Sequence, residues 1–154
     1  MTATLTRTAR RADSTAAVML QQLVDGLSQD LRGYETLRAL LDRQFHAALR
    51  HESEAMAALS AEILAQAAEM EAQRTRRRDL LVGLLGRAAQ PSLRALLERL
   101  PAATAEPIAA LRRAIERALA ECKAMNLRNA QLIGEQQALM QQLLGREEHI
   151  YAER

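Results

Sequence analysis

Apolar residues recur along this chain in steps of three, four and seven, the spacing that lines one face of an α-helix. The first stripe runs Leu20, Leu23, Leu27, Leu31, Tyr34, Leu41, Phe45 and Ala48, which predicts a long helix reaching about Leu49. The segment His51-Glu52-Ser53 interrupts it, with Ser53 placed as a candidate N-cap. A second stripe comes next at Met56, Leu59, Ile63, Ala67, Met70, Leu81 and Leu84 or Leu85, and Gly86 is the expected stop. Two helices of about 33 residues each span roughly 50 Å at 1.5 Å per residue. Joined by so short a break, they predict an antiparallel hairpin.

Pro91 opens a short helix through Leu93, Leu96, Leu97 and Leu100, and the stretch from Pro101 to Pro107 reads as the linker that ends it. Pro107 suits the first turn of a last long helix, striped by Ile108, Leu111, Ile115, Leu119, Cys122, Asn126, Asn129, Ile133, Met140 and Leu144. Residues 1 to about 13 have no such period and read as a flexible tail, with Asp13 or Ser14 as the candidate cap of the first helix. The expected fold is all-α: an elongated antiparallel helical hairpin with a third long helix and a short connecting helix, one helical-bundle domain over residues 14–154.

Composition agrees. Only 2% of the 154 residues are aromatic and Trp is absent, so the core must come from Leu, Ile, Met and Ala, which favours helix over sheet. Lys and Arg number 21 against 19 Asp and Glu, a near balance that leaves no strong nucleic-acid footprint. The local basic runs, Arg74 to Arg78 and Arg7 to Arg11, lack interleaved aromatics for base stacking. The single cysteine, Cys122, has no disulfide partner within the chain, which fits a reducing compartment such as the cytoplasm. No apolar run approaches the roughly 20 residues that span a bilayer, so no membrane insertion is expected.

Arg74 and Arg77 fall on the apolar stripe of the second helix, where a charge is costly unless paired. A hairpin turning at residues 51 to 53 sets Arg74 opposite Asp30, an ion pair that would fix register. The functional alternative is an anion- or partner-binding patch with Arg76 and Arg78. Gly26 and Gly33 lie seven apart on the first helix, each costing roughly 1 kcal/mol relative to Ala, which implies close approach by another helix.

Catalytic constellations fail. The residues three before His46, His51 and His149 are Arg43, Ala48 and Arg146, so the Glu-x-x-His pattern of di-iron bundles is missing. No phosphate loop and no metal-ligand spacing occur, and Cys122 on a core-facing stripe reads as a buried small hydrophobe. No enzyme, cofactor or metal site is expected.

Asn126 and Asn129 interrupt the last apolar stripe, either as a buried polar layer that sets register or as part of a binding surface. Beyond them the stripe widens. Met125, Leu132, Leu139 and Leu143 form a second row beside Ile133, Met140 and Leu144, more surface than one helix needs to join its own bundle.

The segment Cys122-Lys123-Ala124-Met125-Asn126-Leu127-Arg128-Asn129-Ala130-Gln131-Leu132-Ile133 resembles the Asn-x-x-Asn-Gly and subsequent apolar residues of the FlgN family of flagellar export chaperones, with Ala130 in place of the Gly. The likeness extends over most of residues 18 to 151, including Glu35 in the leading helix and the Arg-containing Leu-rich end of the second. Tyr151 looks like the Tyr of the family's Tyr-Gly-x-x-Gly ending, linked to docking on the export gate, with Ala152 where Gly is expected.

The resemblance implies a cytoplasmic chaperone that binds C-terminal helical segments of hook-filament junction proteins and delivers them to the export apparatus. Met125, Asn126, Asn129, Leu132, Ile133, Leu139, Met140 and Leu143 are the expected client-binding residues, and Tyr151 the expected gate-docking one. Helix-in-groove recognition coupled to folding of the client is the expected mode. A self-associating coiled-coil structural or adaptor protein is the competing reading, and a homo-oligomer is compatible with both.

Overall fold

A computed structural model describes residues 2–87 and 90–152, with side chains described over 5–87 and 90–146. Among the described residues four helices follow in order: α1 Thr2–Leu49, α2 Ser53–Leu85, α3 Leu93–Arg99 and α4 Ala102–Ala152. The architecture is all-α, with α1 and α2 forming the hairpin and α4 the third long helix.

The turn between α1 and α2 is held by its own main chain. His51 N–H donates to the Ala48 carbonyl at 3.1 Å and Glu52 N–H to the Ala47 carbonyl at 3.0 Å, with His51 in the left-handed region at φ 56°. This pair of bonds is a Schellman motif, which satisfies carbonyls that the helix end would leave open. The N-cap of α2 is Glu52, without a side-chain capping bond, so Ser53 is the first helical residue and not the cap.

At the far end of α2, Gly86 adopts φ 85° and donates to the Val82 carbonyl at 2.8 Å. The Arg99 guanidinium reaches back to the Leu85 carbonyl at 3.1 Å, so α3 ties down that helix end. Ser92 caps α3 by accepting from the Ala95 N–H at 3.1 Å. The Pro101 carbonyl then receives Thr104 and Ala105 N–H groups, and α4 starts at Ala102. The expected linker up to Pro107 is therefore helical. Pro107 sits in the second turn, where it forgoes one main-chain bond to a residue that faces solvent.

Helix α1 also begins earlier than its stripe, at Thr2, so the segment expected as a tail continues the helix. Nothing in Thr, Ala and Arg breaks a helix once the adjoining turns exist, because adding a residue to a formed helix is cheap compared with nucleation. Side chains 5–18 are exposed, which is why no periodicity marks them.

The long helices do not surround a common core along their whole length. Helix α2 runs antiparallel against one side of α1 and α4 runs parallel along another, while the backbones of α2 and α4 stay apart among the described residues. At one end all four helices meet around Leu23, Leu27, Leu81, Leu85, Leu96 and Ile108. At the hairpin tip Leu40, Ala47 and Leu59 join α1 and α2 alone.

Between these clusters the α1/α2 seam is polar. Gln66 donates to the Gly33 carbonyl at 3.3 Å, Gln73 donates to Gln29, and Arg77 pairs with Asp30. The expected partner of Asp30, Arg74, instead lies 3.6 Å from Glu71 on its own helix. Arg77 lies three residues on from Arg74, one turn away on the same side of α2, and a long guanidinium side chain spans about one turn, so the pairing moves by a turn without moving the helices. Close approach explains Gly33, where a Cβ would stand 3.2 Å from Gln66 Nε2 and 3.3 Å from Met70 Cγ, but not Gly26, which has nothing within 4 Å.

Candidate functional site: the α4 face

The α1/α4 seam is a ladder. Cys122 donates to the Tyr34 carbonyl at 3.5 Å, Asn129 to the Leu41 carbonyl at 2.7 Å and Gln136 to the Ala48 carbonyl at 2.8 Å, each pair 88 residues apart. Rungs recur every seven residues on both helices, as parallel helices with a heptad pattern require. Asn129 is 1% exposed and its amide also donates to Gln44 Oε1 at 2.9 Å. Its carbonyl oxygen accepts from Arg128 Nε at 3.3 Å. Of the two roles expected for the Asn pair, Asn129 anchors α4 on α1, whereas Asn126, three residues earlier, is exposed.

Arg128, on the outer flank of the ladder, places its guanidinium 3.7 Å from the Phe45 ring centroid and 3.8 Å from Asp42. Two turns earlier on α4, Glu121 accepts from Arg38 at 2.7 Å. Sequence reasoning did not single out these residues. The signal was there in the lone Phe, whose exposed edge needs a cover and whose ring attracts a guanidinium.

Met125 and Leu132 are half-buried along the seam, as is Ile133 on its other flank. Further on, burial collapses. Leu139 is 67% exposed, Met140 56%, Leu143 55% and Leu144 55%. The register explains the change: continued at an offset of 88, Leu49 at the end of α1 lies level with residue 137. Helix α4 continues to Ala152, about 22 Å further at 1.5 Å per residue. Leu143 stands where the rung after Gln136 would fall, with no carbonyl or side chain of α1 to meet it. The surplus apolar surface thus comes from the length of α4 past its partner more than from the width of its stripe. Leu144 adds to the surface that sequence reasoning marked. The Tyr151 side chain lies outside the described residues.

Burial shifts three of the described titratable groups along the seams. Burial raises the Cys122 thiol, the opposite of an activated nucleophile, and it raises Tyr34 with help from the nearby Asp30 charge. Burial also raises Asp30, against the pull of Arg77 and Arg76. Among the described residues no three metal-ligating side chains gather, and no helix is long and apolar enough to cross a membrane.

The family model described as FlgN protein matches residues 19–145, which takes in the ladder and the exposed stripe and leaves out the first turns of α1 and Tyr151. No curated protein and no solved structure matches the chain.

Proposed function

The chain belongs to the FlgN family, and from that membership we propose that it binds C-terminal helical segments of hook-filament junction proteins and delivers them to the export apparatus. Membership itself makes it a flagellar export chaperone in general, in a family of chaperones and not of enzymes. The finer reading names the clients, the cytoplasm as the place of work, and the far half of α4 as the surface.

The observation that carries this reading is the apolar stripe that outlasts its partner. Leu139, Met140, Leu143 and Leu144 are each more than half exposed on a helix whose seam with α1 has already ended. Contiguous apolar patches of this kind mark interaction sites, and an amphipathic client helix supplies the missing partner. Met140 adds a flexible thioether that adapts to different clients. Met125, Asn126, Leu132 and Ile133 extend the surface toward the bundle. Asn129 contributes from inside, by holding α4 in register.

Titration calorimetry with the C-terminal peptide of a hook-filament junction protein tests the reading. Replacing Leu139 and Leu143 by Ser leaves the circular dichroism spectrum unchanged and weakens binding by roughly 2 kcal/mol or more. Equal affinity in a folded variant removes the surface from the reading. A second copy would cover the same stripe, so a concentration-dependent dimer that excludes the peptide favours self-association instead.

A further inference from the structure

Along most of their length, among the described residues, α2 and α4 pack on α1 with their backbones apart, like two corners of a four-helix square with α1 at the corner between them. The fourth corner is filled only at one end. There α3 approaches both α2 and α4 and completes the core around Leu96. With 7 residues it covers about 10 Å at 1.5 Å per residue. From Asp30 onward the corner is open.

Residues along its length are assignable. Its floor and α2 wall form a cleft of about 220 Å³ lined by Asp30, Tyr34, Leu37, Ala67, Met70 and Arg74, among others. On α4, Glu121 and Arg128 reach Arg38, Asp42 and Phe45, which lie on the side of α1 away from α2. Asn126 and Ile133 lie on the other flank of the ladder and therefore border the corner. The next residue in that row, seven further, is the exposed Met140. The open corner and the projecting stripe of α4 are continuous.

Charge gives the corner a direction. Where it meets α3, a cleft of about 490 Å³ is lined by Arg74, Arg77 and Arg78 with one carboxylate, Glu71. Arg78 is exposed, and Arg74 reaches Glu71 at only 3.6 Å with both side chains facing solvent. At the opposite end the stripe is apolar. An occupant therefore needs an apolar face and a negatively charged end.

We propose that this corner is the seat of the client helix, which completes the four-helix bundle end to end with α3 and lies antiparallel to α4. Its C-terminal end meets Arg74 and Arg78, and its earlier turns cover Met70, Ile133 and Met140. A helix C-terminus carries partial negative charge and a chain end adds a carboxylate, both complementary to the basic mouth. This inference rests on the client-binding reading above and specifies the seat and polarity.

The test uses the full chain and the C-terminal peptide of a hook-filament junction protein, as free acid, with a nitroxide at either end. A C-terminal label should broaden amide signals of residues 74–78, and an N-terminal label those of residues 139–144. Ala67→Arg, at an exposed position on the cleft wall, should weaken binding about tenfold by filling the corner. Arg74→Glu with Arg78→Glu should weaken it about fivefold or more, with the loss shrinking in high salt. Circular dichroism checks that each variant is folded. Binding that is lost in the Leu139→Ser, Leu143→Ser variant but indifferent to these changes leaves the client reading standing and overturns the seat. Reversed labels overturn the polarity, and a dimer abolished by Ala67→Arg gives the corner to a second copy. No binding by the unaltered chain sinks both readings.

Discussion

The Asn129 side chain hangs on the main-chain carbonyl of Leu41 at 2.7 Å, across a seam in which the asparagine is almost fully buried. A carbonyl already inside a helix has a second lone pair to offer, and a polar side chain on the facing helix can reach it. Asn129 then needs its other donor and its acceptor met, and Gln44 and Arg128 meet them. Asn129→Ala should therefore cost about 1 to 3 kcal/mol by leaving the Gln44 Oε1 without its donor and a void beside Leu41. Asn126→Ala, on the exposed flank, should change stability by less than about 0.5 kcal/mol. Urea unfolding of the two variants separates the roles, and equal losses would refute the assignment.

Arg77, not Arg74, holds Asp30. Arg77→Leu strands a carboxylate that is 5% exposed, and the expected cost is about 3 kcal/mol or more. Adding Asp30→Leu should recover much of that loss, while Arg74→Leu should add independently to either change. A cycle in which Arg74 couples and Arg77 does not would reverse the pairing.

The same carboxyl sets a pH dependence. Burial, the largest influence, raises Asp30 above its ordinary 3.8, against Arg77 and Arg76. The folded chain thus binds this proton more readily than the unfolded chain. The contribution to stability is full below 3.8 and is lost as pH rises through the raised folded value. Asp30→Asn should remove that fall. Thermal unfolding followed from pH 3 upward checks the sign, and a variant whose slope matches the parent would show that other groups dominate.

His51 occupies the left-handed region, where glycine is at ease and a side chain is crowded. His51→Gly should stabilise the chain by about 0.5 to 1 kcal/mol, and His51→Val should destabilise it by at least as much. Opposite signs in chemical denaturation are the expected outcome. A shared sign would show that the imidazole contributes something besides its backbone.

Two glycines of α1 make a matched pair. A Cβ at Gly26 meets nothing within 4 Å, so Gly26→Ala should gain most of the ~1 kcal/mol of helix propensity. At Gly33 the same atom crowds Gln66 and Met70, whose flexible ends can shift only at the expense of the bond to the Gly33 carbonyl. Gly33→Ala should be near neutral or destabilising by comparison.

The helices and their breaks were legible because Leu at heptad-like spacing has one physical reading, and so were the stop at Gly86 and the turn at residues 50–52. Helix starts were less so. Thr2 and Ala102 begin helices where no apolar period exists, since exposed turns carry no pattern, and Pro107 suggested a boundary that the Pro101 carbonyl had already supplied. Sequence placed both asparagines on one stripe. Which of them is buried depends on where α1 lies, and spacing alone could not say that Asn129 faces Leu41 while Asn126 looks outward. The exposed leucines were legible as surplus. Their cause, the end of α1 at Leu49, depends on the offset between two helices distant in sequence.

With the backbones of α2 and α4 close to α1 but apart from each other, the molecule is built like a book: α1 is the spine, α2 and α4 are the covers, and α3 is a clasp across them near one end. Stiffness is therefore uneven along the rod. Beside the clasp, spreading the covers must break a core shared by four helices, whereas at the hairpin tip only the gap between them widens. Any spreading of the covers would pivot on the ladder carbonyls of Tyr34, Leu41 and Ala48 and would meet least resistance far from Leu96, at the end from which the last turns of α4 project.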